Sequence, residues 1–321
     1  MIEVTQLTKQ YGGVKAIDNV TFKVNKGEIV AFLGPNGAGK TTTMRIITGF
    51  VPATSGTAVI AGFDVFEKPL EVKRRIGYLP EIPPLYSDMT VSEYLTFVAK
   101  LKQVASKEIF PAVENVLNKC NLVSVKTRLI KNLSKGFQQR TGLAQALIHN
   151  PEVLILDEPT VGLDPHQIIE IRDLILNLAG EHTIILSTHI LQEATALCQR
   201  VLIINEGHIV AEDTPERLSA NLRKSEKVAL VIRRGSDEMI NEIKMIPGVI
   251  NVIVQSKEGG DIWNVMAEYP VGSDLREEIA RIVVQKGAGL LELKAQTLSL
   301  EDIFLKLTQE EPANLNHGGA A

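Results

Sequence analysis

The sequence predicts an α/β protein in two parts: a mixed-sheet core interrupted by a block of helices, then a small α+β domain. Three observations predict it. Residues Gly34–Thr41 read G-x-x-x-x-G-K-[ST] directly after the apolar run 29–33 and directly before a stretch that can begin a helix at Thr42. Two further apolar runs, 153–156 and 183–186, end in polar residues, the pattern of buried parallel strands. Beyond a charged break at 221–227 the order becomes β-α-β-β-α-β, a ferredoxin-like split pattern.

A length of 321 residues suggests about two domains, and 45% hydrophobic residues suffice for packed cores. The net charge of −4 gives no reason to expect nucleic acid as a partner. Two cysteines, Cys120 and Cys198, cannot build a disulfide framework, which fits a reducing compartment. No stretch reaches the roughly 18 uninterrupted apolar residues that span a bilayer, and the first residues lack a signal-peptide pattern. Any membrane role is therefore expected to come through a partner.

Segments 2–9 and 17–24 have strand-like spacing and predict a β subdomain, with Tyr11-Gly12 in the turn between them. In the motif at 34–41, glycines let the backbone turn sharply and aim its N–H groups inward. The helix start adds partial positive charge at the same point. Gly34, Pro35, Asn36, Gly37, Ala38, Gly39, Lys40, Thr41 and Thr42 are thus the phosphate-binding set. Lys40 is expected on the β- and γ-phosphates and Thr41 on Mg²⁺. Short strands follow at 57–60 and 76–79.

Pro80-Glu81-Ile82-Pro83-Pro84 cannot be regular helix or a central strand. It opens a helical subdomain at about 85–150. Helices are expected at 91–101 and 110–121, with Thr90 and Ser106 as caps, and at 138–149, stopped by Asn150-Pro151. Asp157-Glu158 stands at the C-terminal end of a buried strand, where ligands bind in open α/β sheets. With a phosphate loop in the same chain, the first acid points to Mg²⁺. Gly162-Leu163-Asp164-Pro165 starts another helix. His189 follows the strand at 183–187, on the edge shared with the acids and the phosphate loop. Segments 201–205 and 208–212 predict a hairpin through Glu206-Gly207.

The expected boundaries are an ATP-binding domain at 1–221 and an accessory or regulatory domain at 228–307, with a disordered tail at 309–321. The second domain contains an amphipathic helix at 300–307. It carries no acid–base pair or metal-ligand spacing.

Taken in order, Tyr11, Gly34–Thr41, Glu81, Leu133-Ser134-Lys135-Gly136, Asp157-Glu158, Asp164 and His189 resemble the nucleotide-binding subunit of ABC transporters over roughly residues 2–220. That resemblance implies an ATPase with ATP and Mg²⁺ as cofactors. It implies Tyr11 on the adenine, Asp157 with Mg²⁺, Glu158 as general base and His189 as the switch histidine. Ser134, Gly136 and Asp164 join the nucleotide-binding set, Ser134 and Gly136 through the γ-phosphate held by a second protomer.

One signature and one phosphate loop per chain imply a second ATP-binding subunit, most simply a homodimer. Glu81 stands where most members carry glutamine, which leaves its part in coordinating Mg²⁺ and water open. Phe137 stands where the signature usually continues with glutamine. The Leu-Pro-Glu variant and the ending at 299–304 resemble exporter-type subunits that pair with a separate membrane permease. That implies a place on the cytoplasmic face of the plasma membrane, held there by the permease. The rivals are a soluble ABC ATPase acting on a macromolecular assembly and a GTPase. The latter needs a guanine-reading Asn-Lys-x-Asp downstream, whereas Asn25-Lys26-Gly27-Glu28 lies upstream and lacks the aspartate.

Overall fold

The structure, a computed structural model, describes residues 1–221, 225–259 and 261–296. The helix expected at 300–307 and the tail from 309 lie outside the described residues. The chain divides into two compact units, Met1–Pro215 and a second beginning at Glu216.

The first unit begins with β1 (Ile2–Tyr11), β2 (Val14–Val24) and β3 (Ile29–Leu33), then α1 (Lys40–Ile47), β4 (Ser55–Ile60), β5 (Phe63–Asp64), α2 (Pro69–Arg75) and β6 (Ile76–Leu79). Three helices follow: α3 (Val91–Leu101), α4 (Ile109–Lys119) and α5 (Lys135–Leu147). Next come β7 (Val153–Asp157), α6 (Pro165–Asn177), β8 (Thr183–Thr188), α7 (Leu191–Leu197), β9 (Arg200–Asn205) and β10 (His208–Asp213). Helix α8 (Pro215–Asn221) follows.

Two sheets build the unit. One is antiparallel in the order β2-β1-β4-β5. The other runs β10-β9-β3-β8-β7-β6, parallel except for β10 at its edge. Every residue of β3 and β7 is buried, as central parallel strands require. Each large apolar side chain among them contributes about 1.5–3 kcal/mol by leaving water. Helix α1 sends Met44, Ile46 and Ile47 into one core that joins both sheets through Ile2, Val4, Phe22, Phe32 and Ile155. It ends at Thr48, whose hydroxyl donates to the Met44 carbonyl at 2.9 Å, and at Gly49 with φ 68°, the left-handed position that stops a helix.

The helical block starts from a reciprocal cap. Thr90 Oγ1 accepts the Glu93 N–H at 3.3 Å, and Glu93 Oε2 accepts the Thr90 N–H at 2.9 Å. Ser106 is not the cap expected of it: it opens a 3₁₀ turn at Ser106–Glu108, and α4 begins at Ile109 without a side-chain cap. Helix α5 begins at Lys135 rather than near 138, because Ser134 caps it by accepting the Phe137 N–H. Tyr11 does not lie in the first turn. It closes β1, paired with Val14, and Gly12-Gly13 make the turn. The short α7 and β5 have no distinct periodicity and were not expected.

The second unit contains β11 (Ser225–Arg233), α9 (Asp237–Lys244), β12 (Asn251–Glu258), β13 (Ile262–Pro270), α10 (Arg276–Gln285) and β14 (Gly289–Gln296). Its sheet is antiparallel in the order β12-β13-β11-β14, the arrangement of a ferredoxin-like fold. Met239, Ile240 and Ile243 of α9 and Ile279 and Val283 of α10 pack on Val228, Leu230, Trp263 and Val265 to form its own core.

Candidate active site

Strand register brings the candidate residues to one edge. Leu33 at the end of β3 pairs with Thr188 at the end of β8, and Asp157 at the end of β7 pairs with Ser187. The next residues, Gly34, Glu158 and His189, therefore leave the sheet side by side. This is the carboxyl edge where open parallel sheets bind ligands. Two hydrogen bonds carry the ladder one step further: Gly34 N–H to the Thr188 carbonyl at 3.3 Å, and Glu158 N–H to the Ser187 carbonyl at 3.2 Å.

The loop from Gly34 to α1 is held from below by backbone. A Cβ at Gly34 would lie 2.4 Å from the Ile204 carbonyl oxygen. At Gly39, φ is 107° and a Cβ would meet Ile17 at 2.6 Å. Only glycine fits either position. The Gly207 N–H donates to the Ala38 carbonyl at 3.0 Å, so the β9–β10 turn fastens the loop.

Within this cradle Lys40 is buried, and its Nζ donates to the Gly34 and Pro35 carbonyls at 2.8 and 3.1 Å. The same ammonium lies 3.3 Å from Glu158 Oε1. Glu158 Oε2 lies 2.8 Å from His189 Nδ1. Glu158 has φ 48°, in the left-handed region that non-glycine residues seldom adopt. Such a conformation survives where the surroundings dictate it, and functional sites are where it concentrates. Here its N–H is fixed by Ser187 Oγ at 2.9 Å.

Thr41 Oγ1 donates to Asp157 Oδ1 at 3.3 Å, and Ser187 Oγ donates to the same oxygen at 2.6 Å. Burial raises the Asp157 carboxyl above the ordinary carboxylate range, against the pull of these two bonds. The nearby charges of Glu158 and Glu81 push the same way as burial. The arrangement is an ammonium, a hydroxyl–carboxylate pair and a histidine-backed carboxylate around a glycine cradle. It can hold a polyphosphate and place a carboxylate beside its end.

The cleft, about 250 Å³, is lined by Asn36, Gly37, Lys40, Thr41, Glu158 and His189 together with Ala16, Gly39, Thr42, Val161 and Glu81. Glu81 reaches it from the loop after β6 and is exposed. Tyr11 is not among the lining residues; it is 49% exposed beneath Lys9, whose Nζ lies 4.9 Å from the ring centroid. Ser134, Gly136 and Asp164 gather elsewhere. Asp164 caps α6 by accepting the Gln167 N–H at 2.9 Å, and a Cβ on Gly136 would strike the Gln167 side chain at 2.7 Å. One chain thus holds two separate groups. Ser187, a link between Asp157 and Glu158, was not singled out in the sequence; two hydroxyl residues closing an otherwise apolar strand were the available sign.

Known proteins agree with this construction. Residues 17–161 match the family model described as ABC transporter. A bacitracin transport ATP-binding protein of Bacillus licheniformis is 36% identical over 317 residues, covering 96% of this chain and 97% of that protein. The chain belongs to the ABC transporter family. Its place there is that of an ATP-binding subunit, an ATPase that powers transport. A second ABC relative, the daunorubicin resistance ATP-binding protein of Streptomyces coeruleorubidus, is 31% identical over 326 residues, covering 100% of this chain and 98% of the relative. A solved ABC cassette, described as a dimer in a post-hydrolysis state bound to ADP and Pi, matches with TM-score 0.61 and 25% identity, over 67% of this chain and 98% of that one. ABC ATPases of this kind bind ATP and ADP and dimerise. Among the described residues no helix is long and apolar enough to cross a membrane.

Proposed function

We propose that this ATPase drives export through a separate membrane permease, from the cytoplasmic face of the plasma membrane, as a homodimer that closes on two ATP molecules. Relatives named for bacitracin transport and daunorubicin resistance, each matched over nearly their whole length, support the export reading. The placement of Glu158 carries the catalytic reading: a buried carboxylate, in contact with both Lys40 and His189, at the mouth of a glycine cradle.

In this reading the backbone N–H groups of Gly37–Thr42 and the Lys40 ammonium bind the phosphates. Glu158 takes the proton from the attacking water, the step for which a positioned base is worth roughly 10²–10⁴-fold. His189 orients Glu158 and bonds the γ-phosphate once it arrives. The donor set at Thr41 and Asp157 consists of hard oxygens and suits Mg²⁺, and the raised Asp157 carboxyl gains most from a cation. Bound there, Mg²⁺ supplies positive charge to the phosphate oxygens. Glu81, exposed on the same cleft, is a further oxygen ligand for the metal or the water. Tyr11 stacks on the adenine at the open side. Ser134, Gly136 and Asp164 of one protomer complete the site of the other.

The test is to tag the chain and isolate it from detergent-solubilised membranes. A polytopic membrane protein is expected to accompany it and to stimulate its ATPase activity. Recovery with ribosomes or DNA, and without an integral membrane protein, overturns the reading.

A further inference from the structure

Two threonines, one near Glu158 and one beside His189, converge through their hydroxyls on a single buried acid. Thr160 follows Glu158 by two positions, and Thr188 directly precedes His189. Thr160 Oγ1 donates to Glu193 Oε1 at 2.5 Å, and Thr188 Oγ1 donates to Glu193 Oε2 at 2.8 Å. All three are buried, with Glu193 only 1% exposed. Thr188 Oγ1 also accepts the Ile190 N–H at 3.0 Å, which shapes the turn carrying His189. Among the described residues no ammonium or guanidinium pairs with Glu193.

A carboxylate this deep is costly to keep unless its oxygens are hydrogen-bonded, and here each oxygen accepts one threonine hydroxyl. What the carboxylate adds is two acceptors at once. Ser187 ties the exits of β7 and β8 together on the strand side of Glu158. Glu193 ties the same two exits together through Thr160 and Thr188. Glu158 and His189, carried on these tied exits, meet at 2.8 Å.

We propose that Glu193 is a positioning residue for hydrolysis: it holds the Thr160 and Thr188 turns in one fixed relation, so that Glu158 and His189 face the γ-phosphate together. The inference rests on the reading of Glu158 as general base. It predicts that Glu193 governs turnover and leaves nucleotide affinity nearly alone, because neither it nor the threonines line the cleft.

The test uses the full chain with Glu193→Gln, Thr160→Val, the double variant and Glu158→Gln, and measures ATP affinity, kcat, KM and melting temperature. Glutamine has one acceptor oxygen in place of two, so one hydroxyl must turn round to accept from the amide N–H, and that link is reoriented. Expected are ATP affinities within about threefold of the unmodified protein and a fall in kcat of roughly 10–100-fold for Glu193→Gln, the scale of a misplaced reacting group. Thr160→Val falls less, and the double variant loses no more than Glu193→Gln alone, the non-additivity of residues that act as one unit. The His189 imidazole resonances, assigned by their loss in His189→Gln, shift in Glu193→Gln without nucleotide.

An unmodified kcat in folded Glu193→Gln overturns the proposal. If that variant does not fold, an unmodified kcat in Thr160→Val overturns it equally. Should Glu158→Gln hydrolyse ATP normally, the reading of Glu158 fails and the inference falls with it. Should Glu158→Gln be inert while the other variants turn over normally, only the inference fails.

Discussion

Lys40 Nζ and Glu158 Oε1 stand 3.3 Å apart, both side chains buried. In the proposed function, the ammonium that holds the phosphates thus pairs with the carboxylate that activates water.

Replacing Glu158 by Gln removes the negative charge and keeps the shape. ATP affinity is expected to rise several-fold, because the phosphates no longer compete with a carboxylate for Lys40. Hydrolysis should fall by roughly 10²–10⁴-fold. With MgATP the variant should run as a dimer on a sizing column at several protein concentrations, while Lys40→Ala stays monomeric. Titration of ATP by equilibrium dialysis checks the affinity, and an unchanged rate would shift the role of base to Glu81.

Asp157 predicts a conflict between stability and activity. Its carboxyl is raised in the folded state, chiefly by burial, so the folded protein resists ionisation more than the unfolded chain does. The resulting penalty is absent below the unfolded-state value, grows as pH rises towards the folded value, and is complete above it. Asp157→Asn should therefore melt higher than the unmodified protein at pH 7 without nucleotide, with the advantage shrinking in acid. The same variant should lose the stabilisation that Mg²⁺ adds to ATP. Thermal scans from pH 4 to 8 with and without MgATP would decide it; a lower melting point for the variant at pH 7 would refute it.

The loop after β6 presents Ile82, 82% exposed, beside the half-buried Leu85. Prolines at 80, 83 and 84 stiffen it, and it joins the core sheet to the helical block. A rigid apolar loop at this junction is proposed to receive a helix of the permease. Ile82→Asp with Leu85→Asp should abolish co-purification with the permease and leave basal ATPase activity within about twofold. Retained co-purification would remove the loop from the interface.

The two units have separate cores, so a chain ended after Asn221 should fold and bind ATP. The accessory role proposed for 228–307 then predicts altered dimerisation or regulation and intact binding. Fluorescent-nucleotide titration of the truncated chain measures this. Loss of binding with retained helical circular dichroism would mean that the second unit contributes to the site.

Local signals made the buried strands and the edge of the site legible. Gly34, Glu158 and His189 each follow a run apolar enough to be a buried strand, and buried parallel strands place their exits on one edge. The cap at Thr90 was legible because Glu93 stands at the matching position. What escaped were partnerships across long separations. The hydroxyls closing the strand at Ser187 do not say that one of them serves both Asp157 and Glu158, and nothing in the local sequence marks Glu193 as the partner of Thr160, 33 positions away. Tyr11 was misplaced because glycine at 12 signals a turn without saying which residue ends the strand. Ser106 looked like a cap, but the chain takes a 3₁₀ turn first.

The β9–β10 turn beneath the phosphate loop sets an order of assembly during synthesis. Strand β3 has β8 and β9 as its sheet neighbours, and they begin only at Thr183 and Arg200. The loop's own support comes from Ile204 and Gly207. At about 5–20 residues per second, translation leaves the finished loop sequence waiting on the order of ten seconds or more for these partners. Through that interval the apolar strand β3 has no sheet to join, and the glycine segment lacks the part of its floor that Ile204 and Gly207 supply. ATP therefore cannot act as an early folding ligand for this chain. Nucleotide can favour the folded state only after the residues around 207 have emerged.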